Sequence, residues 1–214
     1  MKQLIVAFLI LGLSTHAQEA NSFLEEVQAI QKKYDSLWDD TRETVVFTGS
    51  SSIRIWNNLS EIFPEQQIIN SGFGGSQASD LLVNIDQLVL NFRPKKVFIY
   101  EGDNDLASGK KPRHILNTTE EIIHKIWVQN PNTEVVLIAA KPSLARWNLR
   151  RKYKKLNRKL KRLSDKTERI AYANVWDTML QNKKVKEEIF VSDGLHMNSL
   201  GYDLWYDVIK EHMN

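Results

Sequence analysis

Three consecutive serines, Ser50, Ser51 and Ser52, stand in the stretch VVFTGSSSIRIW, just after an apolar run and a glycine. A serine at such a strand-to-helix turn has two uses. Its hydroxyl can cap the helix by accepting a backbone N–H bond. Alternatively it can attack a carbonyl, while helix N–H groups and the positive end of the dipole stabilise the oxyanion that forms. Attack requires a base. In FVSDGLHMNSLGYDLW, Asp193 precedes His196 by three residues. An aspartate on the same loop can bond Nδ1–H and leave Nε2 free to take the serine proton. The other histidines fit this role less well: His16 falls within the expected signal peptide, His114 and His124 fall in a helical pattern, and His212 is near the terminus.

Two further polar clusters could serve the same chemistry. NSGFGGSQASDLL is rich in glycine, which either shapes a turn or lets a backbone N–H come close to a ligand because no Cβ intervenes. A dinucleotide fingerprint starting at Gly72 and Gly74 fails, since its third glycine would fall on Gln77. In YEGDNDLASG, Gly102 lies two residues before the amide of Asn104, which suits a hydrogen-bond donor at a strand end. Glu101, Asp103 and Asp105 offer a rival reading as calcium ligands. Their spacing is not that of an EF-hand loop, and calcium needs about six to eight oxygens.

All four clusters follow short apolar runs. Strands are expected at Val45–Thr48, Gln67–Asn70, Lys96–Tyr100, Thr133–Ala139 and Ile170–Ala173. Helical patterns cover about Asn21–Trp38, Ser52–Asn58, Ala78–Asn91, Pro112–Gln129, Asn148–Ser164 and Ser199–His212. Strands alternating with amphipathic helices imply a parallel sheet covered on both faces, with ligands beyond the carboxyl ends of the strands. No internal repeat or Pro/Gly linker interrupts the pattern, so a single domain is expected over residues 18–214.

Taken in order, these blocks resemble those of the SGNH hydrolases, the GDSL-type esterases and lipases, and the GSSSIRIW form resembles an exported bacterial branch of that family. The similarity runs from Val45 to His212. It implies a three-layer α/β/α, flavodoxin-like fold with a five-stranded parallel sheet. Aligning GSSSI with the family's Gly-Asp-Ser block implies Ser51 as nucleophile, with Ser50 where most relatives carry aspartate. NSGFGGSQ implies Gly75 as the oxyanion glycine, GDND implies Asn104 as the side-chain donor, and DGLH implies Asp193 and His196. The oxyanion hole would then comprise the N–H groups of Ser51 and Gly75 with the Asn104 amide, and no metal or organic cofactor would be needed.

Substrate recognition is expected to involve Arg146 and Trp147, because KPSLARW follows the fourth strand and brings both residues near the mouth of the site. An arginine and an aromatic ring there suit an acetylated sugar. Trp56, one turn beyond the serines, is expected in the core. The absence of a long apolar insertion between the blocks points to short acyl groups. The resulting expectation is a carboxylic-ester hydrolase acting on small-molecule or glycan esters, O-acetyl glycans among them. The alternative is a non-catalytic polysaccharide-binding protein on the same fold.

MKQLIVAFLILGLSTHAQ combines a lysine, an apolar stretch from Leu4 to Leu13, and small residues Thr15 and Ala17, so residues 1–17 are expected to be a signal peptide. Export, to periplasm or exterior, would follow, without stable membrane insertion. The chain has no cysteine, so it would fold there without disulfides. Its net charge of +3 hides an asymmetry: residues 146–169 carry twelve Lys or Arg against two Asp or Glu. Leu149, Tyr153, Leu156, Leu160 and Leu163 form an apolar stripe that would dock this helix and leave its cations in water. If those cations bind a partner, an anionic polysaccharide or surface is expected rather than nucleic acid.

Overall fold

A computed structural model describes residues 23–213. The expected signal peptide lies outside the described residues. Five strands form one parallel sheet in the order β2-β1-β3-β4-β5. They are β1 Thr44–Gly49, β2 Gln67–Gly72, β3 Lys96–Tyr100, β4 Glu134–Ile138 and β5 Ile170–Ala173. Every residue of β1 and β3 is buried, as a sheet covered on both faces requires. The α/β expectation, with five parallel strands, is therefore met.

The longer helices are α1 Leu24–Tyr34, α7 Pro112–Gln129, α8 Arg150–Ser164 and α10 Ser199–Ile209. Between them lie short ones: α2 Ser51–Arg54, α3 Leu59–Ile62, α4 Ala78–Val83, α5 Ile85–Leu88, α6 Asp103–Ala107 and α9 Val175–Thr178. A small antiparallel hairpin, β6 Leu180–Gln181 with β7 Lys184–Val185, has no counterpart in the sequence reading.

Two helices expected as continuous are broken. The run expected at Ala78–Asn91 divides at Asn84, whose side-chain amide donates to the Asp80 carbonyl and competes with the helix ladder. Apolar spacing survives the break, since Leu81, Ile85 and Leu88 are all fully buried. The run expected at Ser52–Asn58 ends at Arg54, and Trp56 turns inward to 1% exposure against Phe47, Tyr202 and Trp205.

The loops at the carboxyl end of the sheet are pinned from several directions. Gly49 closes β1 at φ +119°, and a Cβ there would lie 2.0 Å from the Tyr100 carbonyl oxygen. That same carbonyl accepts the Ser50 N–H at 3.0 Å. From β2, the Asn70 amide donates to the carbonyls of Ile53 and Trp56, while Tyr202 of α10 donates to the Ser52 carbonyl at 2.8 Å. The short α2 is thus held by a neighbouring strand and by the last helix.

Candidate active site

The first helical turn after β1 carries Ser51 at its first position, where the backbone N–H has no partner four residues back. No serine side chain caps this helix. The hydroxyls are used elsewhere. Ser51 Oγ lies 2.9 Å from His196 Nε2, across 145 residues of chain. Ser50 Oγ, buried, accepts from the Asn104 amide at 2.7 Å.

The histidine is set by its own loop. Asp193 Oδ2 lies 2.6 Å from His196 Nδ1, and Asp193 Oδ1 accepts the backbone N–H groups of Leu195 and His196 at 2.8 and 2.9 Å. Burial would raise the pKa of Asp193, but the bond to His196 and the two backbone donors outweigh it and hold it at about 2. The carboxylate stays charged and fixes the ring with Nδ1 toward itself and Nε2 toward Ser51. Asn198 caps α10 by accepting the Gly201 N–H, so the loop has a defined exit.

The glycine-rich loop after β2 brings Gly75 to φ +76°, a conformation that favours glycine, with open space where a side chain would stand. Glu26 of α1 accepts the Gly74 N–H at 2.9 Å and holds this loop from outside. Asn104 connects it to the nucleophile segment: its amide donates to Ser50 Oγ and, at 2.9 Å, to the Ser76 carbonyl. Asn104 thus ties the segment that carries Ser51 to the loop that carries Gly75.

The three acidic residues considered as calcium ligands go to different partners. Glu101 accepts from Ser76 Oγ at 2.7 Å, and burial pushes its carboxyl well above the usual range. Asp105 accepts the Ala78 N–H and lies 3.3 Å from Lys110 Nζ. Asp103 faces Lys141, Arg146, Tyr100 and Tyr153. Among the described residues, no group of three or more His, Cys, Asp or Glu is placed to hold a metal ion.

The two residues expected at the mouth are engaged with the protein itself. Arg146 Nη1 donates to Asp103 Oδ1 at 2.7 Å and to Asn104 Oδ1 at 3.0 Å. Trp147 stacks on Trp176 at 6.1 Å between centroids, with the Arg150 guanidinium over its ring. Sequence reasoning missed Lys141, which is fully buried and donates to the Leu195 carbonyl at 2.6 Å. The available signal was a lysine directly after the apolar run EVVLIAA. The basic helix docks through Tyr153, Leu156 and Leu160 as expected. Its exposed Lys154, Arg158 and Lys161 border a groove of about 740 Å³ shared with Tyr172 and Trp176.

Residues 35–204 match the model of the GDSL-like lipase/acylhydrolase family. The chain belongs to that family. GDSL-like members of known structure share its fold. A protein described provisionally as a platelet activating factor from Streptococcus pneumonia is 24% identical, with TM-score 0.79 over 95% of this chain and 99% of that one. A protein described provisionally as an acylhydrolase from Bacteroides fragilis is also 24% identical, with TM-score 0.75 over 90% and 95% of the two chains. A serine-to-alanine mutant of an acetyl esterase, bound to acetate, is 16% identical, with TM-score 0.64 over 80% and 96%. No curated protein matches the chain. Membership in the GDSL-like family points to ester hydrolysis. Among the described residues, no helix is long and apolar enough to cross a membrane.

Proposed function

We propose that this chain is an exported serine hydrolase that cleaves carboxylic esters of short acyl groups, O-acetyl groups on glycans among them, through an acyl-enzyme. The observation that carries this reading is the Ser51 Oγ–His196 Nε2 contact of 2.9 Å, continued by the His196 Nδ1–Asp193 contact of 2.6 Å. Ser51 Oγ attacks the ester carbonyl carbon as His196 Nε2 takes its proton. The tetrahedral oxyanion is received by the N–H groups of Ser51 and Gly75 and by the Asn104 amide. Its collapse breaks the bond to the alcohol, which leaves with the proton from His196. Water, deprotonated by the same nitrogen, then attacks the acyl carbon, and loss of the acid restores Ser51.

For Asn104 to serve the oxyanion, one of its two donors must be released from Ser50 Oγ or Ser76. The Ser50 hydroxyl is the weaker of these acceptors, since it can rotate to another partner. Preference for short acyl groups is supported by the absence of a long apolar insertion between the blocks. The fold likeness to an acetyl esterase holding acetate agrees with it. Export rests on the first 17 residues. Trp147 remains our candidate for contact with a sugar ring.

The groove beside α8 favours a second reading, a polysaccharide-binding protein, because cations and the aromatic residues Tyr172 and Trp176 line it together. One experiment separates the two: hydrolysis of p-nitrophenyl acetate, butyrate and octanoate, and of acetylated xylan, by wild type and Ser51→Ala. The hydrolase reading expects acetate to be turned over fastest, with activity unaffected by EDTA and lost in a folded Ser51→Ala. The binding reading expects no turnover above buffer in either protein.

A further inference from the structure

Asn104 sits in α6 with its amide gripped on both edges. Oδ1 accepts from Arg146 Nη1, and Nδ2 donates to Ser50 Oγ and to the Ser76 carbonyl. These partners are not equivalent. A guanidinium only donates and a carbonyl only accepts, whereas a hydroxyl does either. Turning the amide over would set its NH2 against Arg146 and its oxygen against the Ser76 carbonyl, two repulsive contacts in place of two bonds. Without Arg146, only Ser76 would oppose that turn.

Arg146 is itself held. The same Nη1 donates to Asp103 Oδ1, and Asp103 is buried at 4% exposure. Tyr100 and Tyr153 also donate to that carboxylate, and Lys141 Nζ approaches it at 3.6 Å. Lys141 in turn holds the carbonyl of Leu195, the residue before His196. One buried carboxylate thus joins the arginine on the amide to the loop that carries the histidine. Arg146 Nη1 is used twice inside the protein.

We propose that Arg146 is a positioning residue, which holds the Asn104 amide with its N–H edge toward the oxyanion, rather than a substrate-binding residue. The inference rests on the serine-hydrolase reading above.

The test is a double-mutant cycle on p-nitrophenyl acetate hydrolysis with Arg146→Gln, Asn104→Ala and the pair. Arg146→Gln is expected to lower kcat about tenfold with KM within about twofold, the size of one lost charged hydrogen bond. Asn104→Ala is expected to lower kcat roughly 10²- to 10³-fold, as for other oxyanion donors. The double variant should be no slower than Asn104→Ala alone, because Arg146 would have nothing left to position. Arg146→Lys should restore part of the rate, since an ammonium can donate to Asn104 but lacks the planar fork. If Arg146→Gln shows no cooperative thermal transition, Arg146→Lys takes its place in the cycle, with a smaller loss of kcat expected in wild type and no further loss on Asn104→Ala. The proposal is overturned by an equal loss in both backgrounds, by a raised KM at unchanged kcat, or by no effect. Absence of esterase activity in wild type would instead defeat the hydrolase reading on which it rests.

Discussion

Asp193 and Asp103 are both carboxyls whose pKa is held below the ordinary carboxylate range, by different means. Asp193 is about half exposed, and its partners are its own neighbours, Leu195 and His196. Asp103 is buried, and its partners Lys141, Arg146 and Tyr153 come from β4's exit loop and α8. For Asp103 the burial that would raise its pKa is outweighed by the charges of Lys141 and Arg146 and by the bond from Tyr153. Burial meanwhile pulls Lys141 below the usual lysine range. The contrast separates two duties. An exposed carboxylate can orient a base at little structural risk, while a buried one commits the fold to keeping every partner in place.

The largest expected effect is on the exposed side. Asp193→Asn should lower kcat/KM for p-nitrophenyl acetate roughly 10³-fold, less than the ~10⁴ typical where a triad carboxylate is buried, because water can partly replace an exposed one. Thermal stability should hardly change. A loss below tenfold would break the assignment of Asp193 as the residue that sets the ring.

The reverse pattern is expected at Asp103. Asp103→Asn leaves Lys141 buried without its counter-charge and should cost about 3–5 kcal/mol in urea unfolding at neutral pH. A cost below about 1 kcal/mol, within the range of exposed ion pairs, would remove the distinction between the two carboxylates.

How these regions read in the sequence follows from the distances involved. Asp193 and His196 were legible because an aspartate three residues before a histidine makes its contacts within one turn of chain. The hub around Asp103 was not, since Lys141, Arg146 and Tyr153 lie 38 to 50 residues away and only the β3-β4 pairing brings them together. Arg146 and Trp147 were expected at the mouth of the site, but which way an arginine turns depends on the buried acid it meets, and no local pattern records that. The serine run shows the same limit. GSSS offers a cap by composition, yet Asn104 and His196 take the hydroxyls of Ser50 and Ser51, and both lie far off in sequence. Strand positions were legible because burial on both faces leaves uninterrupted apolar runs, whereas the order β2-β1-β3-β4-β5 is set by pairings that no local run records.

Acid should sharpen the comparison further. A carboxyl depressed in the fold contributes stability above its unfolded value of about 3.9 and loses it as pH falls through the folded value. The melting temperature of wild type should therefore drop below about pH 4, and Asp103→Asn should lose less over the same interval. Parallel acid curves for the two proteins would show that Asp103 does not carry this limb. The smallest effect is expected at Ser50, whose neutral hydroxyl is one of two acceptors for the Asn104 amide. Ser50→Ala should change kcat by less than about tenfold, a single neutral hydrogen bond's worth.

The claim that Ser51 is the nucleophile is open to direct chemical reading. Incubation of wild type with a fluorophosphonate, followed by peptide mass spectrometry across residues 45–56, reports which hydroxyl is activated. The account predicts one adduct, on Ser51, absent from Ser51→Ala, retained in Ser50→Ala, and formed far more slowly in His196→Ala. An adduct on Ser50 or Ser52 in wild type, or labelling that persists in Ser51→Ala, would contradict it.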